Sequence, residues 1–327
     1  MVNGARFSKT ILLRAIKNEA SDVHFCPESS YIGVYFRIHG KRRRVQSIPF
    51  SEYQSVLTHL KFSSGMDIGE IRRPQDGRME LQDRSDFFSL RLSTLPADPL
   101  ESLAIRILPQ SKEIPFKQLF LFPQQAKQLI HLIHNKSGIF LLTGPTGSGK
   151  TTTLYGLLQS LLQQQSSQVI SLEDPIERKL ENVTQIQINE KANLSYQIGL
   201  RAALRHDPDI LMIGEIRDEG TARLAFHAAY TGHLVLSTLH AKDTAGTIHR
   251  LLEFGLNQQD IHQVLLGVAA IELLPILHPT NRAAILEILT GDSLSKAIHY
   301  QSYSLTRFQT LRRKAYALGF IDKTLIP

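Results

Sequence analysis

Residues 138–155 read GIFLLTGPTGSGKTTTLY: an apolar run from Ile139 to Leu142, a turn through Gly144, Pro145, Thr146, Gly147, Ser148 and Gly149, then Lys150, Thr151 and Thr152 opening a helix-like apolar pattern. Glycines at this spacing let successive backbone N–H groups turn inward on a polyphosphate. The helix that follows offers the same anion its unsatisfied N–H groups and the positive end of its dipole. The stretch has the form of a P-loop, with a strand before it and a helix after it, in which Lys150 would reach the outer phosphates and the Thr151 hydroxyl would hold Mg²⁺.

Three further polar groups each follow an apolar run. Gln168–Leu172 leads into Glu173, Asp174 and Glu177; Ile210–Ile213 ends at Gly214 and Glu215; Leu234–Leu236 leads to Ser237, Thr238 and His240. In open parallel sheets the ligand sits beyond the carboxyl ends of the strands, so these groups converge on the P-loop. Glu215 stands where an acid acts on Mg²⁺, partly through water, or on the attacking water itself. In the Glu173/Asp174/Glu177 cluster, one carboxylate would orient water while another reaches the metal's hydration shell. His240 either senses the γ-phosphate or caps the next helix, because a lone histidine discriminates poorly.

The elements that must carry these groups are legible in outline. Ile11, Leu12, Ala15 and Ile16 have helical spacing within residues 5–20, and Ser51–Phe62 reads as a second helix. Alternation of Ile32, Val34, Phe36 and Ile38 indicates a half-buried strand, with His39-Gly40 turning into Lys41–Arg44. That basic run is a solvated edge or subunit contact, or else a nucleic-acid or lipid patch. Asp76-Gly77 is a hairpin signal, and Asp86–Thr94 and Ser102–Leu108 are strands carrying Arg91 and Arg106. Residues 1–108 are thus a small α+β domain. Three prolines within 109–123 mark a linker. In 124–243 short apolar strands alternate with helices at 196–205 and 221–230, the pattern of a parallel sheet buried on both faces. From Thr244 to 327 the pattern is mainly helical, broken at Gly255, Pro275 and Pro279.

Composition excludes several classes. The 327 residues are 42% hydrophobic and 20% charged, typical of a folded protein. A net charge of +7 favours acidic partners without choosing among them. Cys26 is the single cysteine, so neither an intramolecular disulfide nor a zinc cage of paired cysteines can form. No apolar run approaches the roughly 18 residues of a membrane span, so any work at a membrane is expected to be done by docking.

Together these segments resemble the secretion ATPases of the type II secretion, type IV pilus and competence pseudopilus superfamily. GPTGSGKTTTLY resembles the family's Walker A, ISLEDPIE its aspartate box, RHDPDILMIGEIRD its Walker B and GHLVLSTLHAKDTAGTIHRLLEFG its histidine box. ASDVHFCPE, RRPQDGR, LRLSTLP and IRIL resemble its PAS-like N-terminal domain. The resemblance implies a RecA-like P-loop core behind a PAS-like α+β domain, with a helical C-terminal region. It also implies a homo-hexamer that hydrolyses ATP with Mg²⁺ between subunits and drives extrusion of pilin subunits.

By the same resemblance, Glu215 takes the Walker B role and Glu177, with Glu173 second, that of general base. His233 and His240 couple nucleotide state to the interface, and Arg91 and Arg106 reach the phosphates from the first domain. Read from the residues alone, those two arginines are instead strand residues in surface ion pairs. The implied setting is cytoplasmic, peripherally attached to an inner-membrane platform protein, without direct nucleic-acid binding.

There are departures. The four-cysteine zinc module of many relatives is missing, so no zinc is expected. Ile271-Glu272-Leu273-Leu274-Pro275 stands where relatives often read Gln-Arg-Leu, in a segment expected to be helical. No extra domain is expected before the PAS-like one. This short form is most similar to the ComG-type ATPases of Gram-positive competence, with secretion or pilus assembly and retraction as alternatives. An ATP-switched nucleic-acid-binding protein is the alternative of another class.

Overall fold

The structure is a computed structural model describing residues 4–38, 40–84, 86–110, 114–134, 137–277 and 282–326. His39 and Pro279, expected at a turn and a helix break, lie outside the described residues. The chain divides into two compact units, Met1–Lys112 and Glu113–Pro327.

In the first unit, α1 (Gly4–Lys17) precedes β1 (Ala20–Pro27), β2 (Ile32–Ile38) and β3 (Lys41–Ile48); α2 (Phe50–Ser63) precedes β4 (Gln75–Asp83), β5 (Asp86–Leu95) and β6 (Ser102–Gln110). The strands form one sheet in the order β3-β2-β1-β6-β5-β4, every neighbouring pair antiparallel. Strand alternation sorts its faces. Val23, Phe25, Val34, Phe36, Leu90, Leu92 and Ile105 are buried with Ile11 and Leu12 of α1 and Tyr53 and Val56 of α2; the residues between them make the opposite face. Lys61 is buried there but satisfied, its ammonium donating to Glu101 Oε2 and the Glu70 carbonyl, both at 2.7 Å. Edge strand β3 carries the exposed basic run Lys41–Arg44, a charge pattern that discourages pairing with further strands.

Asp76-Gly77 makes no turn. It lies inside β4, and the strand pair closes instead at Asp83 opposite Asp86, with Arg84 at φ 55°. Gly77 is there for clearance, because a Cβ would stand 2.6 Å from Ser64 Oγ and 2.7 Å from the Ser64 carbonyl oxygen.

Much of the expected linker is likewise built in. Pro109 and Gln110 extend β6, and after Lys112 the chain enters the second unit, where Phe116, Phe120 and Phe122 are buried. Three aromatic side chains take enough apolar surface from water to seat this proline-bearing stretch.

The second unit continues with α3 (Pro123–Ile133), β7 (Gly138–Thr143), α4 (Lys150–Leu162), β8 (Val169–Glu173), β9 (Val183–Gln187), α5 (Tyr196–Ala203), β10 (Ile210–Ile213), α6 (Glu219–Tyr230) and β11 (Leu234–Leu239). Then come α7 (Thr244–Glu253), α8 (Gln258–Val264), β12 (Leu265–Pro275), β13 (Arg282–Thr290), α9 (Gly291–Ile298) and α10 (Phe308–Ala317). The sheet order is β13-β12-β7-β11-β10-β8-β9, parallel except for β13, which runs antiparallel to β12. Helices cover both faces. Phe140 and Leu142 of β7 pack with α3 and α4, while Ile139 and Leu141 pack with α5 to α9. Truncating a fully buried residue such as Phe140 to Ala would cost about 3–5 kcal/mol in transfer and cavity terms.

The C-terminal region corrects the expectation of a mainly helical 244–327. Residues 265–275 and 282–290 are strands, so Ile271–Pro275 belongs to β12 rather than to a helix. Their Ala, Leu and Glu content suits helices, but pairing with β7 on one side and between themselves on the other outweighs propensity.

Candidate nucleotide site

The four chemically marked segments meet on one rim. The P-loop follows β7, Glu173 ends β8, Glu215 lies two residues beyond β10 and His240 lies one beyond β11. These strands are parallel and adjacent in the order β7-β11-β10-β8, so their carboxyl ends line a single cleft of about 560 Å³. Thr146, Gly147, Gly149, Lys150, Thr151 and Thr152 form one wall; Glu173, Asp174, Glu177, Glu215 and His240 form the other.

The loop is shaped to hold an anion. Gly144, Gly147 and Gly149 have φ of 147°, 80° and 93°, in the region that favours glycine. At Gly144 space is short as well: a Cβ would come within 2.8 Å of the Ile271 carbonyl oxygen and 2.9 Å of Ser148 Oγ. Helix α4 begins at Lys150 with Gly149 as its N-cap and no side-chain cap, which leaves its first N–H groups for a ligand. Ser148 Oγ is buried without a hydrogen-bond partner among the described residues. The Lys150 ammonium donates to the Gly144 and Pro145 carbonyls at 2.8 and 3.0 Å, inside the loop. Burial lowers its pKa, opposed by the charges of Glu215 and Glu177.

These features fit a nucleoside triphosphate with Mg²⁺. The Thr151 hydroxyl and the Glu215 carboxylate line the same cleft. Among the described residues no three His, Cys, Asp or Glu side chains are grouped as ligands, so the ion would take its other ligands from phosphate and water. Bound there, Mg²⁺ neutralises charge on the phosphate oxygens.

Glu215 is held at both oxygens. Arg217 Nη2 donates to Oε1, and His240 Nε2 lies 3.4 Å from Oε2. Burial would raise this carboxyl, but the Arg217 hydrogen bond and the charges of Arg217, His240 and Lys150 outweigh it and leave the pKa lowered. Arg217 also donates through Nη1 to Asp174 Oδ2 at 3.3 Å, tying the β10 end to the β8 end. Its own pKa is raised, first by the hydrogen bond to Glu215.

His240 does not cap the next helix. Asp243 does, accepting from the Gly246 N–H at 2.8 Å, and His240 is left facing Glu215.

Glu173 and Glu177 part ways. Glu173 is only 2% exposed, with Oε2 taken by the Tyr155 hydroxyl and Oε1 by Ser171 Oγ at 2.6 Å and Gln185 Nε2 at 3.0 Å. It is built into the wall. Glu177 reaches the cleft from the loop after β8, and its backbone N–H donates to Tyr155 Oη at 3.3 Å.

Three predicted residues stand elsewhere. His233 precedes β11, at the opposite end of the strand from His240, with its Nδ1 2.9 Å from the Ala228 carbonyl and 3.0 Å from Thr231 Oγ1. Arg91 and Arg106 belong to the first unit, on β5 and β6, where they face each other in register. Arg106 is in an ion pair with Asp22 at 2.9 Å.

Sequence reasoning missed Tyr196, Arg217 and Leu273 as cleft residues. Burial, then the charges of Asp174 and Glu215, raise the Tyr196 phenol pKa. Its oxygen lies 3.0 Å from where a Gly214 Cβ would stand, so that glycine leaves the ring its place. Leu273 arrives from β12, in register beyond the reach of any local motif. Arg217 alone had a usable signal, two residues past Glu215 in the quoted Walker B segment.

Comparison with known proteins agrees with this geometry. The family described as Type II/IV secretion system protein matches residues 4–315. The chain is 43% identical over 333 residues to Competence protein ComGA of Halalkalibacterium halodurans, covering 97% of this chain and 96% of that one. It is 40% identical to Competence protein ComGA of Bacillus subtilis, covering 97% and 95%. Type II secretion system protein E of Dickeya dadantii is 41% identical over 85% of this chain but only 56% of its own length. Among solved structures, the pilus retraction motor PilT, crystallised with bound ADP, superposes with a TM-score of 0.76 at 28% identity, covering 97% of this chain and 94% of that one. The chain belongs to the type II/IV secretion system protein family and is an ATPase of the secretion and pilus type.

Proposed function

We propose that this chain is the motor of a competence pseudopilus. As a homo-hexamer it hydrolyses ATP to ADP and phosphate, and it passes the work to an inner-membrane platform protein, so that a pilus-like fibre forms for DNA uptake. It acts from the cytoplasm, attached peripherally; among the described residues no helix is long and apolar enough to cross a membrane. The competence role is supported by the two ComGA proteins, which are 43% and 40% identical over 97% of this chain, where the type II secretion protein matches over 85% of it.

The observation that carries the reading is the shared cleft of Lys150, Thr151, Glu177 and Glu215 at the ends of parallel strands. Lys150 and the loop N–H groups hold the β- and γ-phosphates, and Thr151 with Glu215 holds Mg²⁺. Glu177 takes the proton of the attacking water, Glu173 keeps the β8 end in place, and His240 orients Glu215. His233 serves the subunit interface rather than the phosphates. The first unit is PAS-like in this reading.

The deciding experiment pairs ATP turnover by the purified chain with light scattering. Magnesium-dependent turnover in a six-subunit particle, lost in Lys150→Ala, together with loss of transformation in cells carrying that variant, is expected. A parent protein without turnover, or a Lys150→Ala protein with parental turnover, overturns the reading.

A further inference from the structure

Strand β12 outruns its parallel neighbour. Its ladder with β7 ends where Ala270 faces Thr143, the last residue of β7, and among the described residues the stretch from Ile271 to Pro275 is paired with β13 alone. This overhang lies against the glycine loop. The Ile271 carbonyl oxygen and Cγ2 would stand 2.8 and 3.3 Å from a Cβ on Gly144, and the Leu273 methyl groups 3.6 and 3.7 Å from one on Gly149. Because β13 is itself the edge of the sheet, the overhang has backbone support from one side only.

Side-chain alternation turns Glu272 the other way. Ile271 and Leu273 pack in the cluster that holds α3 and α4, whereas Leu274 packs with Leu311 and Ala315 of α10. Arg312, next to Leu311 on that helix, takes Glu272 with two prongs: Nε donates to Oε1 at 3.0 Å and Nη2 to Oε2 at 2.7 Å. The two side chains are 29% and 26% exposed, so salt and water screen the pair only in part. A planar fork of this kind fixes direction as well as distance. It ties the helix to the residue that stands between the two that touch the loop.

We propose that Arg312 is a positioning residue for the phosphate-binding loop: by gripping Glu272 it holds the β12 overhang against Gly144 and Gly149, which keeps the loop N–H groups converged on a polyphosphate. The inference rests on the reading above that the cleft takes a nucleotide. Arg312 does not line that cleft and acts through the strand. The loop N–H groups hold the phosphates before and during the reaction alike, so loosening them weakens nucleotide binding and raises KM while leaving kcat nearly alone.

The test reads fluorescent-nucleotide affinity, KM for ATP, kcat and thermal unfolding in the full chain. Arg312→Ala and Glu272→Ala are each expected to weaken binding and raise KM by a factor of about 2 to 30, the range for residues that act on a site without touching its ligand, with kcat at saturating ATP little changed. The double variant is expected to be no weaker than either single one, because the two side chains act as a unit. Arg307→Ala is the control. It breaks the other ion pair between the start of α10 and the sheet, Arg307 Nη1 to Glu287 Oε2 at 3.7 Å, and is expected to keep parental affinity whatever it costs in stability. Parental affinity in a folded Arg312→Ala, a loss confined to kcat, losses that multiply in the double variant, or equal weakening by Arg307→Ala overturns the proposal. Should Arg312→Ala not fold, Arg312→Lys decides, since it keeps the charge without the fork: weakened binding supports positioning, and parental affinity overturns it. A parent that binds no nucleotide removes the cleft reading and the proposal with it; a parent that binds, with variants that do not differ from it, removes the proposal alone.

Discussion

The hydroxyl of Tyr155 donates to Glu173 Oε2, joining the helix after the P-loop to the strand beside the acidic rim. With Ser171 and Gln185 on the other oxygen, three of the roughly four acceptor positions of Glu173 are taken by protein donors. Tyr155→Phe should leave a buried carboxylate oxygen unpaired and cost about 1–3 kcal/mol in denaturant unfolding. Glu177→Gln should instead lower turnover by about 10²-fold or more with stability unchanged. If Glu173→Gln and not Glu177→Gln silences a folded enzyme, the base has been assigned to the wrong residue.

Lys150 and Glu215 face each other across the cleft and should separate binding from turnover. Lys150→Ala is expected to lose fluorescent-nucleotide binding. Glu215→Gln is expected to bind normally and to stop hydrolysis. Normal turnover in Glu215→Gln would place its function elsewhere.

Gly144 combines φ 147° with an obstructed Cβ position. Gly144→Ala should therefore cost about 1–3 kcal/mol in backbone strain alone and weaken nucleotide binding, both measurable on one preparation. A variant as stable as the parent with parental affinity would show that the β12 carbonyl yields easily.

Glu287 supplies the pH dependence. Burial raises its pKa above the ordinary 4.5, aided by Asp243 and Glu272 and opposed by the Phe308 N–H and Arg307. A raised carboxyl favours the protonated form on folding, so its stabilising contribution is full below 4.5 and is lost as pH rises through the folded-state value. Glu287→Gln, which keeps an acceptor for the Phe308 N–H at Oε1, should raise the unfolding temperature at neutral pH and lose that advantage in acid. An advantage independent of pH would exclude ionisation as its source.

The site was readable where its chemistry is local. Glycines, Lys150 and Thr151 are adjacent in the chain, and strands such as Ile210–Ile213 announce themselves by being apolar throughout, as strands covered on both faces must be. What escaped depends on pairing between distant segments. RAAILEILT has no period that separates helix from strand, and only its partner β12 decides. Gly77 looked like a turn residue because clearance against Ser64 leaves no trace in local sequence. Tyr196 and Leu273 enter the cleft from elements whose register nothing nearby specifies.

One wall of the glycine loop is made late. The Ile271 carbonyl that crowds Gly144, and the Leu273 side chain 3.6 Å from a Cβ at Gly149, both come from β12. A nascent chain that has emerged as far as Val264 already displays every phosphate-binding residue, yet it lacks the backbone that presses the loop into shape. Copies that end before β12 are thus expected to hold a nucleotide less firmly, although their phosphate-binding residues are all in place.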